Sequence, residues 1–131
     1  MIVIDASAIL ELLMLTERGQ RVEARLFRDA EEIHAPHLLD VEVLQALRRI
    51  VHGRDMAQAR AQEAIEDLAA VGILRHPHRD LLGRAWALRK NISAFDAMYV
   101  SLAEALDADL ITCDGPLGAA HGHAARIEVI S

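Results

Sequence analysis

Short apolar runs alternate with amphipathic stretches along the whole chain. Residues 2–5 (Ile-Val-Ile-Asp) are an apolar run closed by an acid, which predicts a buried strand. Helical spacing follows over 6–15 and 18–30. A short strand near 33–35 leads through Pro36 into a long helix over about 38–52. Gly53 and Asp55 interrupt that helix, and another amphipathic helix runs to Ala70. Val71-Gly-Ile-Leu predicts a third strand, His76-Pro-His-Arg a connector, and 79–90 a further helix. Asn91-Ile-Ser opens a helix reaching about Leu106. Residues 109–112 predict a fourth strand, 115–121 a weak helix, and Ile127-Glu-Val-Ile a last strand. Strands alternating with helices predict a parallel sheet covered on both faces.

Composition narrows the core. At 131 residues the chain is expected to form one domain over 1–131, and 53% of it is apolar. With one Trp, one Tyr and two Phe, the interior must be filled by aliphatic side chains. Asp5 and Glu11 break the first apolar run well short of the roughly 20 residues that a membrane span needs. No basic segment marks a secretion signal, and Cys113 has no second cysteine to pair with. A cytoplasmic protein without membrane attachment is the expectation.

The formal net charge of −6 argues against indiscriminate binding to nucleic acid. Basic residues nevertheless gather at Arg48, Arg49, His52 and Arg54, and again at Arg84, Arg89 and Lys90. An acidic protein with such clusters can still offer a basic rim around an acidic pocket, so charge alone does not decide the partner.

Sites in open parallel sheets lie beyond the carboxyl ends of the strands. Asp5 and Asp114 occupy such positions, although each also suits a helix cap or turn. Asp96 stands three residues after Ser93 in capping-box spacing, yet no other charge lies between Ile92 and Ala103. A cap explains its position but not its apolar setting. Glu42 sits at the shoulder of an apolar helix face and reads locally as a solvated first-turn acid. Two carboxylates about 4 Å apart repel by roughly 4 kcal/mol at an effective dielectric near 20. Converging acids would therefore favour a divalent cation, and oxygen-only ligands suit Mg²⁺ or Mn²⁺. A cation so held activates water and stabilises a leaving oxygen, which points to phosphodiester hydrolysis. Ser7 and Thr112, two residues from Asp5 and Asp114, are placed to orient carboxylates or to satisfy helix-end amides.

Four segments occur in order: Met1-Ile-Val-Ile-Asp-Ala-Ser-Ala, Leu38-Leu-Asp-Val-Glu-Val-Leu-Gln-Ala-Leu-Arg-Arg, Ser93-Ala-Phe-Asp-Ala-Met-Tyr-Val-Ser-Leu-Ala, and Leu110-Ile-Thr-Cys-Asp. Together they resemble the PIN-domain family, in particular its VapC-type toxins, over essentially the whole chain. The resemblance implies a three-layer α/β/α domain with a central parallel sheet of about five short strands. It implies that Asp5, Glu42, Asp96 and Asp114 bind Mg²⁺ or Mn²⁺ and cleave RNA, with Ser7 and Thr112 at the matching polar positions. Asn91 and Tyr99 fall in the matching segment. It also implies a homodimer inhibited by a cognate antitoxin protein. Gly115-Pro116 departs from the charged or polar residues often found after the last acid.

Two other functions fit parts of the pattern. One is a PIN nuclease of RNA processing that has no antitoxin. The other is a non-enzymatic signalling or binding domain with an acidic pocket, which would need a lysine beside the acids, and the sole lysine is Lys90. Seven histidines raise zinc, but His76-Pro-His78 and His121-Gly-His123 lack both a paired cysteine and helical i, i+4 spacing.

Overall fold

The computed structural model describes residues 1–131. Its strands are β1 (Ile2–Ile4), β2 (Ile33–Pro36), β3 (Ile73–His76), β4 (Asp109–Thr112) and β5 (Ile127–Val129). They form one sheet in the order β3-β2-β1-β4-β5, and every neighbouring pair is parallel. The helices are α1 (Ala6–Leu13), α2 (Glu17–Leu26), α3 (Leu38–His52), α4 (Gln58–Ala70), α5 (Leu82–Ala87), α6 (Ala94–Leu106) and α7 (Gly115–Gly118). Helices cover both sheet faces, giving the three-layer α/β/α architecture expected. Ile2, Val3 and Ile4 are wholly buried, which is why β1 shows no polar alternation.

Several boundaries differ from expectation; the helices expected over 6–15 and 115–121 end early, at Leu13 and Gly118. The helix expected over 18–30 ends at Leu26, with Phe27 as its C-cap, and Ala30 beyond it takes a left-handed φ of 52°. The third strand is shifted to 73–76: it pairs His76 with Pro36 and leaves Val71 and Gly72 outside. The helix expected over 79–90 is a 3₁₀ turn (Arg79–Leu81) running into the six-residue α5.

Gly19 marks a close approach between α1 and α2. A Cβ there would collide with the backbone carbonyl of Glu11, so the two helices can meet only at glycine. Far along the chain, Arg25 of α2 is 7% exposed and bonds Glu128 of β5 at 2.8 Å, with Asp109 at 3.4 Å. That pairing ties α2 to the β4–β5 side of the sheet.

The strand order positions the site. From β1 the chain winds outward through β2 to β3, then crosses back to place β4 on the other side of β1. The winding direction therefore reverses between β1 and β4, and a crevice opens beyond their carboxyl ends.

Candidate active site

Asp5 leaves β1 at that crevice and caps α1. Its Oδ1 accepts from the Ala8 amide at 3.0 Å and from Ser7 Oγ at 2.7 Å, while Thr112 Oγ1 donates to Oδ2. Both of its oxygens are thus fixed by neighbours. The cap reading and the idea that Ser7 and Thr112 orient a carboxylate are both realised, by the same atoms. The two hydroxyls also accept backbone protons: Ser7 Oγ from Cys113 N at 2.9 Å, and Thr112 Oγ1 from Asp114 N at 3.0 Å. Each directs its proton to Asp5 and its lone pairs to the turn after β4, so the ends of β1 and β4 are sewn together.

Asp114 stands at the N-terminus of α7, but its side chain makes no cap bond, so its carboxylate is free of that duty. Asp96 lies in the first turn of α6. The cap there is Ser93, whose Oγ accepts from the Asp96 amide at 3.1 Å. Residues Ala97 to Ala103 of the same helix are buried, so Asp96 emerges half-buried at the edge of the core. Glu42, one turn into α3, accepts a hydrogen bond at Oε1 from the hydroxyl of Tyr99 at 2.7 Å. Tyr99 is 1% exposed, which makes it a buried strut between α6 and α3.

Electrostatics link the four acids. Burial pushes Asp5 above the usual carboxylate range despite its three hydrogen bonds, and Asp96 adds to the rise. Burial likewise raises Glu42, with further repulsion from Asp96 and Asp5, while the Tyr99 bond partly offsets it. Asp96 is raised by burial and by Asp114. Burial and the adjoining Glu42 push the Tyr99 hydroxyl upward, so it stays a donor.

Asp5, Glu42 and Asp96 therefore repel one another across three elements, and Asp114 presses on Asp96 from the turn after β4. The hydrogen bonds that reach Asp5 and Glu42 come from hydroxyls and an amide, with no lysine or arginine among the donors. No three acidic, imidazole or thiol groups stand close enough to cage a metal ion directly. The donor set, all oxygen and uncompensated, still fits a hard cation that keeps much of its own water, as Mg²⁺ does.

Other residues fall outside this cluster. Asn91 is exposed in the turn before α6, its amide packed where a Cβ on Gly122 would stand. Lys90 is exposed in the same turn. Cys113 adjoins the site, but burial raises its thiol, which suits a packing role. Three histidines have hydrogen-bond partners within the fold here: His34 Nδ1 meets His76 Nε2 at 2.7 Å, and His78 Nε2 accepts from the Leu38 amide at 3.0 Å. The role of Tyr99 was the part least visible in sequence. The available signal was a tyrosine three residues after Asp96 on an otherwise apolar helix.

The family model for the PIN domain matches residues 2–119. The chain belongs to the PIN-domain family. Its relatives include ribonuclease VapC12 of Mycobacterium tuberculosis, 39% identical over 131 residues and covering 100% of both chains. Among solved structures, this PIN domain superposes on Mycobacterium tuberculosis VapC20, described as a toxin that cleaves the sarcin–ricin loop. The TM-score is 0.70 at 15% identity, covering 91% of this chain and 94% of that one. It also matches VapBC2 from Rickettsia felis, solved on a DNA fragment from its promoter, with a TM-score of 0.65, 13% identity and full coverage of both. At those identities the two structures speak for the shared fold.

Proposed function

We propose that this PIN domain is an endoribonuclease acting as the toxin of a toxin–antitoxin pair. The observation that supports the reading is the mutual repulsion of Asp5, Glu42 and Asp96, with Asp114 pressing on Asp96, in a chain whose full-length relative is named a ribonuclease. Mg²⁺ or Mn²⁺, held by these four acids, would supply the charge that draws a phosphate into an acidic crevice and activates water there.

The side chains have distinct duties in this reading. Asp5 is held rigid by Ser7, Thr112 and the Ala8 amide, so its oxygens are already placed when substrate arrives. Glu42 gives one oxygen to Tyr99 and keeps Oε2 free to take a proton from attacking water. Its raised pKa brings it nearer the range where a carboxylate can accept and release protons at working pH. Asp96 and Asp114 complete the acidic wall.

An antitoxin partner, a homodimer and a cytoplasmic location belong to the same proposal. Support for the antitoxin comes from the VapBC2 complex among the fold neighbours, and no helix here is long and apolar enough to cross a membrane.

The test is RNA cleavage with added Mg²⁺ or Mn²⁺ and an EDTA control, comparing wild type with Asp5→Ala and Asp96→Asn. Loss of turnover by two or more orders of magnitude with the fold retained is expected. Metal-independent cleavage, or full activity in both variants, removes the mechanism. Growth arrest on expression, relieved by the product of an adjacent gene, separates a toxin from a processing nuclease.

A further inference from the structure

Beside the acids a groove of about 450 Å³ opens along α3. Ser7 of α1 and Glu42 of α3 line it, so it is continuous with the cluster. Its walls are otherwise mostly apolar, with Leu10, Val41 and the ring of Phe95 among them, joined by the polar Gln45 and by Arg49. Glu42 and Arg49 are seven residues apart on one helix. They fall on the same stripe, two turns or about 10 Å from each other.

Phe95 and Arg49 of this groove face solvent. Phe95 is 58% exposed in a chain with only two phenylalanines, immediately before Asp96. The next residues of α6 turn into the core while this ring stays outside it. Arg49 is exposed, and it is the only cationic side chain lining the groove. Arg49 forms no ion pair, which is equally true of Arg21, Arg48, Arg54, Arg79 and Arg89, but of these six it alone lines the groove.

We infer that Phe95 and Arg49 form a subsite for the nucleotide adjoining the scissile phosphate of single-stranded RNA, with the base stacked on Phe95 and its phosphate on Arg49. The inference rests on the ribonuclease reading above and names where its substrate runs. A strand with one phosphate at the acids must continue along an adjacent surface, and this groove begins at Glu42. An aromatic face accepts any base, and a guanidinium matches a phosphate in two-point geometry. A basic peptide drawn to the acids would instead bring positive charge toward Arg49. The subsite thus favours a planar apolar group bearing an anion.

The test uses a short, fluorescein-labelled, single-stranded oligoribonucleotide of mixed sequence. Binding is followed by anisotropy in Ca²⁺, and cleavage separately in Mg²⁺ or Mn²⁺. Phe95→Ala is expected to weaken binding about tenfold or more and to raise KM far more than it lowers kcat. Phe95→Tyr should restore both, and Phe95→Leu should not. Arg49→Ala should reduce the salt dependence of binding by about one phosphate contact. Unchanged affinity in Phe95→Ala, or equal rescue by Leu and Tyr, overturns the subsite while leaving the nuclease standing. The subsite falls equally if Phe95→Ala disturbs only self-association or the grip of an inhibitor protein. Wild type that neither binds nor cleaves the oligonucleotide overturns the ribonuclease reading and the subsite together.

Discussion

Asp96 is half-buried among apolar neighbours and pressed by Asp114, which raises its pKa in the folded chain. A folded-state pKa above the unfolded value means that the native state binds the proton more tightly. Stability therefore falls as pH rises from the ordinary carboxylate value of 3.8 through the raised folded one, and the deficit persists at neutrality. Asp96→Asn should then be more stable than wild type at pH 7 in metal-free buffer, with the advantage shrinking as pH falls toward 3.8. Urea midpoints at the two pH values measure this, and a less stable variant at pH 7 would show that burial and repulsion do not govern this carboxylate. Tyr99 acts in the opposite sense on Glu42. Removing its hydroxyl in Tyr99→Phe should cost about 1 kcal/mol, a figure at the low end because Glu42 is partly solvated. It should also move the acidic limb of the pH–rate profile upward, since the lost bond was lowering the Glu42 pKa. The two residues differ in how they read in the sequence. Capping-box spacing after Ser93 accounts for the position of Asp96 but not for its apolar setting, whereas a tyrosine in an apolar helix reads simply as core.

At the scale of elements, α3 matters most because it carries Glu42 and Arg49. Its start lacks a cap from its own sequence, and the free amide of Leu38 is met by His78 from beyond β3. His78→Ala should cost about 1 kcal/mol, as the loss of a helix cap does, measurable by chemical denaturation. Close by, burial and the neighbouring His34 and His37 hold His76 below its ordinary value of 6.5. A base with a lowered folded pKa contributes stability that is fully present above 6.5 and is lost as pH falls through the folded value. His76→Gln should flatten the decline in melting temperature on acidification below that point. The α1–α2 contact is equally local. Gly19→Ala should destabilise by about 1–3 kcal/mol, because the backbone at Glu11 must move to admit a methyl group. Equal melting temperatures for Gly19→Ala and wild type would mean that α1 and α2 separate freely.

For the whole molecule, the repulsion among Asp5, Glu42 and Asp96 is a cost of the metal-free fold that the proposed cation would remove. Added Mg²⁺ or Mn²⁺ should raise the melting temperature of wild type in proportion to RT ln(1 + [L]/Kd), and should raise it less in Asp96→Asn. An equal rise in both proteins would place the cation elsewhere.

The alternation of apolar runs and amphipathic stretches, read locally, was enough to establish an α/β chain with five strands and to locate α3 over 38–52. Apolar periodicity is a property of neighbouring residues, so it survives in a linear string of letters. That string also placed Asp5 and Asp114 at strand ends and, through the family resemblance, singled out the four acids proposed to hold the cation. Strand order, the reversal between β1 and β4, and the shift of β3 to 73–76 required the fold. Pairing joins residues far apart in sequence, and local spacing carries no record of it. The same holds for the Tyr99 strut, the histidine cap on α3 and the ring of Phe95 beside the acids. Each joins groups on separate elements, and only the packed chain brings them within reach.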